Sequence, residues 1–187
     1  MTRLAIMTVG KTHSGKTTFA KCLEEQLLNS VVIDQDTHAE FVNTFYKNLL
    51  PMNGPNTLKY AVSRTIVDYA MDETSFHLIL CNSNLSRSGR LKLLEHFNQK
   101  GLITILVHMD IPEQVLQARV ANSDRSTAIF RSATTFEEVL NRQQTDGYFK
   151  DAAAPGEGEA DYLYVIKHPD ELENVIGKII NVSHSRR

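Results

Sequence analysis

The chain has 187 residues, 42% hydrophobic and 22% charged, with 20 lysines and arginines against 22 aspartates and glutamates for a net charge of −2. These proportions fit one globular domain over residues 1–187 and argue against a broad basic face for nucleic acid, though not against a local basic groove. No apolar run approaches the roughly 18 residues of a membrane span, no secretory leader precedes the first apolar segment, and Cys22 and Cys81 are too few for a disulfide framework. The expectation is therefore a cytoplasmic protein with reduced thiols and no membrane contact.

In chain order, Leu4–Val9 reads as a buried strand, and Thr18 to Leu28 as a helix with Phe19, Ala20, Leu23, Leu27 and Leu28 on one face. Val31–Ile33 is a short strand leading to Asp34 and Asp36, followed by a helix from about Thr37 to Leu49. Pro51, Asn53, Gly54, Pro55 and Asn56 break the chain, after which Leu58, Ala61, Val62, Ile66, Val67 and Ala70 recur at helical spacing. Phe76–Cys81 is a strand, Asn82–Ser88 a polar turn, and Leu91, Leu94 and Phe97 mark a helix that Gly101 closes. Leu102–Met109 forms the next strand, and Pro112 opens a helix through Val115, Leu116 and Ala118. Arg119, Arg125 and Arg131 stud the segment 119–134, and a helix from Thr135 to about Thr145 carries Phe136, Val139 and Leu140. Asp151–Ala160 reads as a loop, Tyr162–Ile166 as a strand, Pro169 to about Ile180 as a helix and Ser183–Arg187 as a frayed tail, with no internal repeat. Five strands alternating with helices predict a three-layer α/β/α fold around a five-stranded parallel sheet, with ligands at the C-terminal ends of its strands.

The residues that could carry chemistry collect at those ends. Gly10, Lys11, Thr12, His13, Ser14, Gly15, Lys16 and Thr17 fit the pattern G-x-x-x-x-G-K-[S/T] between a strand and a helix. Such a loop, with Thr18 at the helix start, wraps phosphate oxygens in backbone N–H groups at the positive end of the helix dipole. Lys16 would reach the β and γ phosphates and Thr17 would ligate Mg²⁺, which makes ATP and Mg²⁺ the expected cofactors. The His13 side chain is expected to point outward. Asp36 stands within reach of a γ phosphate and can accept the proton of an attacking hydroxyl; Asp34 is the alternative, and either can instead cap the following helix. Arg119, Arg125 and Arg131 suit a lid that stabilises equatorial phosphate oxygens and excludes water, or else a solvated helix face. Asn82, Asn84, Arg87 and Arg90 form a polar cluster that could bind the acceptor, with Arg90 facing solvent as the alternative. The histidines and cysteines show no zinc-ligand spacing, and no G-x-S-x-G elbow occurs.

With these residues in place, the chain resembles the P-loop kinase group that includes polynucleotide 5′-hydroxyl kinases, zeta toxins and small phosphotransferases such as chloramphenicol phosphotransferase, among the AAA-like P-loop ATP-binding proteins. Gly10–Thr17, Asp36, the segment Cys81–Arg87 with Arg90, the arginines Arg119 and Arg125, and Glu159, Ala160, Asp161 and Tyr162 carry the likeness. The resemblance implies a nucleoside-kinase-like P-loop NTPase fold with an arginine-bearing lid. It also implies Asp36 as general base, Lys16 and the lid arginines on the transferring phosphoryl group, and Thr17 on Mg²⁺. Two departures stand out. Cys81 occupies the position where many relatives place an aspartate that supports the magnesium shell, so Asp34 or Asp36 supplies that carboxylate or catalysis is weakened. His38 and Ala39 follow Asp36 where polynucleotide kinases carry an arginine, which disfavours a nucleic-acid acceptor. The expected activity is transfer of the ATP γ-phosphoryl group to a hydroxyl of a small molecule. A polynucleotide 5′-hydroxyl or nucleotide-sugar acceptor, and a nucleotide-binding regulatory protein with little turnover, are the alternatives. The helices between Thr37 and Met71, which would shape the acceptor pocket, carry no motif.

Overall fold

The structure is a computed structural model and describes residues 2–53, 56–130, 133–145 and 151–185. Arg131 of the expected lid, Gly54 and Pro55 of the expected break, and the last two residues of the expected tail lie outside the described residues.

β1 (Leu4–Val9) is buried along its whole length, as a central strand covered on both faces must be. It pairs in parallel with β3 (His77–Cys81) and β4 (Ile103–Met109); β2 (Ser30–Asp34) adds to the outer side of β3, and β5 (Tyr162–Ile166) to that of β4. The sheet order is β2-β3-β1-β4-β5, all parallel. Because strand side chains alternate, β1 feeds two cores. Leu4 and Ile6 pack on one face with Phe19 and Leu23 of α1 (Lys16–Gln26), Leu116 of α5 (Glu113–Ala121), Leu140 of α6 (Phe136–Gln144) and Ile176 and Ile179 of α7 (Leu172–His184). Ala5 and Met7 pack on the other with Val67, Ala70 and Met71 of α3 (Thr57–Glu73) and Leu94 and Phe97 of α4 (Arg87–Gln99). Burying each of these larger side chains contributes about 1.5–3 kcal/mol. α2 (Gln35–Phe45) runs from the end of β2 and packs on α3. Among the described residues no helix is long and apolar enough to cross a membrane.

Helix boundaries depart from expectation where caps decide them. α1 begins at Lys16 rather than Thr18, and its chain turns extended at Leu27, which leaves Leu28 82% exposed instead of on the buried face. Asp34 Oδ1 accepts from the Asp36 amide, starting α2 at Gln35; α2 ends at Phe45, with a separate 3₁₀ turn at Lys47–Leu49. In α3, Ala61 and Ile66 lie on the exposed side. The last helix follows a 3₁₀ turn at Pro169–Glu171 and continues to His184 because Val182 and Ser183 are buried, so a tail frayed from residue 183 is not what forms.

Candidate active site

The loop after β1 is shaped by two glycines. A Cβ on Gly10 would lie 2.8 Å from Ser14 Oγ and 3.0 Å from the Met109 carbonyl oxygen, while Gly15 has φ +99°. The Gly10 amide donates to Ser83 O (3.0 Å), tying the loop to the turn after β3. Lys16 curls over the loop, its Nζ donating to Lys11 O (2.5 Å) and Ser14 Oγ (3.3 Å). Burial, the largest influence on it, pushes the ammonium pKa down to about 8. The Thr12 amide donates to Gln143 Oε1 of α6 at 2.7 Å.

His13 does not point outward. Its Nε2 lies 2.7 Å from Ser123 Oγ, its Nδ1 lies 3.0 Å from Thr12 Oγ1, and its ring stands edge-on to Phe136 at 4.7 Å. Burial first, then the charges of Arg125, Lys16 and Arg119, hold its pKa down to about 4, so the ring is neutral and pins the loop to the segment after α5. Arg119, in the last turn of α5, donates from Nη1 to His13 O at 3.0 Å.

Across the cleft, Asp36 Oδ2 accepts from Arg125 Nη2 at 3.2 Å, with both side chains partly exposed, and the Arg125 guanidinium lies 5.1 Å from the centre of the Phe136 ring. Asp34 caps α2, and burial raises its carboxyl above the ordinary range. It pairs in register with Cys81 across β2 and β3. The Cys81 thiol donates to Thr17 Oγ1 at 3.6 Å; burial, followed by the Asp34 charge, pushes it up to about 11, so the group is a neutral thiol. Asn82 Oδ1 accepts from the Gln35 amide (3.1 Å), holding the start of α2 against the turn after β3. The segment after α5 is strapped to α2: Ser126 Oγ donates to Glu40 Oε1 (3.1 Å), and Asn43 Nδ2 donates to Ala128 O (2.8 Å) and Phe130 O (3.3 Å).

These elements enclose a cleft of about 920 Å³, within the range of small-molecule sites. Thr12 to Thr18, Asp36, Asn82, Arg119 and Arg125 line it, while Gly10 and Lys11 shape the loop from behind and Asp34 sits outside the lining. Asn84, Arg87 and Arg90 are not in it. Asn84, at φ +46°, donates from Nδ2 to Thr8 O (2.8 Å). The Arg90 side chain is fully buried, with Nε 2.8 Å from Glu159 Oε2 and Nη1 donating to Asn84 O (2.8 Å) and Ala153 O (3.3 Å). The exposed Arg87 joins the same carboxylate at 3.2 Å. This cluster fastens the turn after β3 to the loop before β5. Asp161 likewise locks to β4, its Oδ2 accepting from the Thr104 amide (2.8 Å) and hydroxyl (2.9 Å).

Sequence reasoning missed Asn56, which caps α3, Lys59 and Tyr60 of its first turn, and Gln143 of α6, all of which line the cleft. Nothing local singled them out; the only signal was a helix starting after a break. Among the described residues no group of three or more His, Cys, Asp or Glu could hold a metal by itself. The Thr17 hydroxyl and the carboxylates of Asp34 and Asp36 are oxygen donors of the kind a hard cation takes, whereas the neutral Cys81 thiol beside Thr17 is not.

A parallel sheet in this order, with a G-x-x-x-x-G-K-T loop feeding α1, defines a P-loop NTPase fold of the kinase group. Residues 6–146 match the family described as AAA domain, and the chain belongs to that family. The fold is similar to the unliganded sugar kinase of Janibacter sp. HTCC2649, at 18% identity and TM-score 0.60, covering 97% of this chain and 94% of that one. It is similar to the Mycobacterium tuberculosis APS kinase in complex with AMPPNP and APS, at 15% identity and TM-score 0.61 over 99% and 100%. It also resembles the Deinococcus radiodurans tunicamycin resistance protein, at 17% identity and TM-score 0.56 over 98% of each chain. At such identities the likeness is one of fold. No curated protein matches the sequence.

Proposed function

We propose that the protein is an ATP-dependent kinase, working as a single domain, that moves the γ-phosphoryl group to a hydroxyl of a small molecule. One observation carries the reading: Asp36, a carboxylate suited to proton acceptance, lines the same cleft as Lys16, Arg119 and Arg125. The loop amides from Thr12 to Thr18 hold the donor phosphates, with Gln143 giving up the Thr12 amide, and Lys16 leaves the Lys11 carbonyl for the β and γ oxygens. Ile111, Ile166, Pro169 and Leu172 offer the base an apolar wall. Mg²⁺ bound on the Thr17 hydroxyl would neutralise phosphate charge. Asp36 accepts the proton of the acceptor hydroxyl as its oxygen bonds to the γ phosphorus, and the bond from that phosphorus to the β–γ bridging oxygen breaks, releasing ADP. Arg125, freed from Asp36, and Arg119 stabilise the charge on the equatorial oxygens.

The test is γ-labelled ATP with a panel of hydroxylated acceptors. A general base contributes about 10²–10⁴-fold, so Asp36→Asn is expected to lose transfer by at least about 10²-fold while AMPPNP affinity stays within a few-fold. Equal transfer rates in the two proteins refute the assignment. Cys81 favours a second reading, a nucleotide-binding protein with little turnover, because a neutral thiol replaces an oxygen donor beside Thr17. Tight AMPPNP binding without transfer, unrestored by Cys81→Asp, supports that reading.

A further inference from the structure

The described lining of the cleft holds the cations Lys16, Lys59, Arg119, Arg125 and Arg142 against a single carboxylate, Asp36. Four of the five cations have protein partners. Lys16 and Arg119 donate to loop carbonyls, Arg125 pairs with Asp36, and Arg142 pairs with Glu138. Lys59 differs. Among the described residues its ammonium has no acceptor atom in hydrogen-bond or ion-pair range and stands only over the Tyr60 ring, 5.1 Å from its centre. Partial burial pushes its pKa down while the Asp36 charge works the other way. A cation withdrawn from water without an anion is unfavourable, which makes sense if the anion arrives with a ligand.

Its placement is built. Lys59 comes from α3, on the sheet face opposite α5 and α6, and so enters the cleft away from Arg119. Asn56 Oδ1 accepts from the Lys59 amide at 3.2 Å, and Asn56 Nδ2 donates to Asn43 Oδ1 of α2 at 3.3 Å. One turn on, the Ser63 hydroxyl donates to Lys59 O (2.8 Å) and lies 2.7 Å from His38 Nδ1. His38 follows Asp36 by two residues, so the chain segment that carries the carboxylate also fixes the turn that carries the ammonium.

We propose that Lys59 binds the acceptor and that the acceptor carries an oxyanion, a carboxylate or a phosphate or sulfate ester, on the side of its reacting hydroxyl away from the phosphate loop. This assignment of substrate class rests on the kinase reading. Lys16 and Arg119 serve the donor, and the ammonium of Lys59 anchors the acceptor so that its hydroxyl meets Asp36. The anionic end supplies the charge the cleft lacks, and a neutral analogue leaves the lysine unpaired.

The experiment titrates sulfate, phosphate and acetate separately into the protein saturated with Mg²⁺ and AMPPNP, which fill the phosphate loop, and follows binding by calorimetry. The wild type is expected to bind at least one of the three saturably, and which one it prefers distinguishes an ester from a carboxylate. Losing a charge-assisted contact weakens binding about tenfold or more, so Lys59→Met is expected to show that loss and Lys59→Arg to recover most of it. Binding of all three anions unchanged in Lys59→Met, or absent from the wild type, overturns the proposal. Failure of AMPPNP to bind sinks the kinase reading instead. The same anions titrated into nucleotide-free Lys16→Met then still decide Lys59, because their binding there either depends on Lys59 or does not.

Discussion

Replacing Glu159 by glutamine separates a structural Arg90 from one that binds substrate. The Arg90 side chain is 0% and that of Glu159 6% exposed, and the pair is joined at 2.8 Å (Nε to Oε2) and 3.3 Å (Nη2 to Oε1). Glu159→Gln preserves volume and one acceptor but leaves a guanidinium buried without its counter-charge. Breaking a buried pair costs about 3–5 kcal/mol, and the surviving carbonyl bonds to Asn84 and Ala153 place this case near the lower end, about 3 kcal/mol. For a chain of this length each kcal/mol moves Tm by about 2–4 °C, so thermal melts followed by circular dichroism should drop by about 6–12 °C. AMPPNP affinity measured below the transition should not change. The double variant Arg90→Met with Glu159→Leu should recover most of the loss, since an apolar pair of similar volume removes the stranded charge. The penalty has a pH signature. Burial pushes Glu159 upward, but the bonds from Arg90 and Arg87 outweigh it and hold the carboxyl below the ordinary range. A depressed folded-state pKa stabilises above the unfolded value, about 4.3, and that stability is lost as pH falls through the folded value. The gap between wild type and Glu159→Gln should therefore begin to narrow as pH falls toward the unfolded value and go on closing as it passes the folded one. A Glu159→Gln protein melting within about 1 °C of wild type, together with an Arg90→Met protein that melts normally yet loses the acceptor, refutes the structural role.

Two other predictions concern the phosphate loop. Gln143 Oε1 occupies the Thr12 amide, so Gln143→Ala removes a contact that nucleotide must displace; one neutral hydrogen bond nets about 0.5–1.5 kcal/mol, and AMPPNP should bind about two- to tenfold more tightly by calorimetry. Weaker binding would mean that Gln143 contacts the nucleotide. Lys16, with its pKa lowered to about 8, is largely deprotonated in the free protein at pH 8.5–9, and triphosphate favours the ammonium. AMPPNP binding in that range should take up protons, seen as a dependence of the calorimetric enthalpy on buffer ionisation heat, and a buffer-independent enthalpy contradicts the shift. Without nucleotide the sign is the reverse of the usual paired lysine. The unfolded state holds the proton up to about pH 10.4, so this group makes stability rise with pH between about 8 and 10.4.

Much of the framework was legible because it is written in local pattern. The buried run Leu4–Val9, the apolar spacing of α1 and the glycines of the loop each follow from period, propensity and backbone constraint, which neighbours in sequence supply. Helix ends were less legible, since a cap such as Asp34 on the Asp36 amide is one hydrogen bond whose partner spacing is not unique. The candidate site was legible only where residues stand within a few positions of a strand end. Asp36 and Lys16 met that condition. Arg90 met it too, yet its guanidinium turned into the protein because Glu159, 69 residues later, waits there.

By itself the sequence determined a parallel α/β chain with a phosphate loop and an aspartate beyond the second strand, since those depend on short-range sterics and on alternation of apolar residues. Only tertiary structure decided that His13 packs inward against Ser123, that Gln143 covers a loop amide, that Arg90 is a buried strut, and that Lys59 enters the cleft from the opposite face of the sheet. Each depends on which distant element packs alongside. The burial and charge that fix a polar side chain's role come from that neighbour, not from its own stretch of chain.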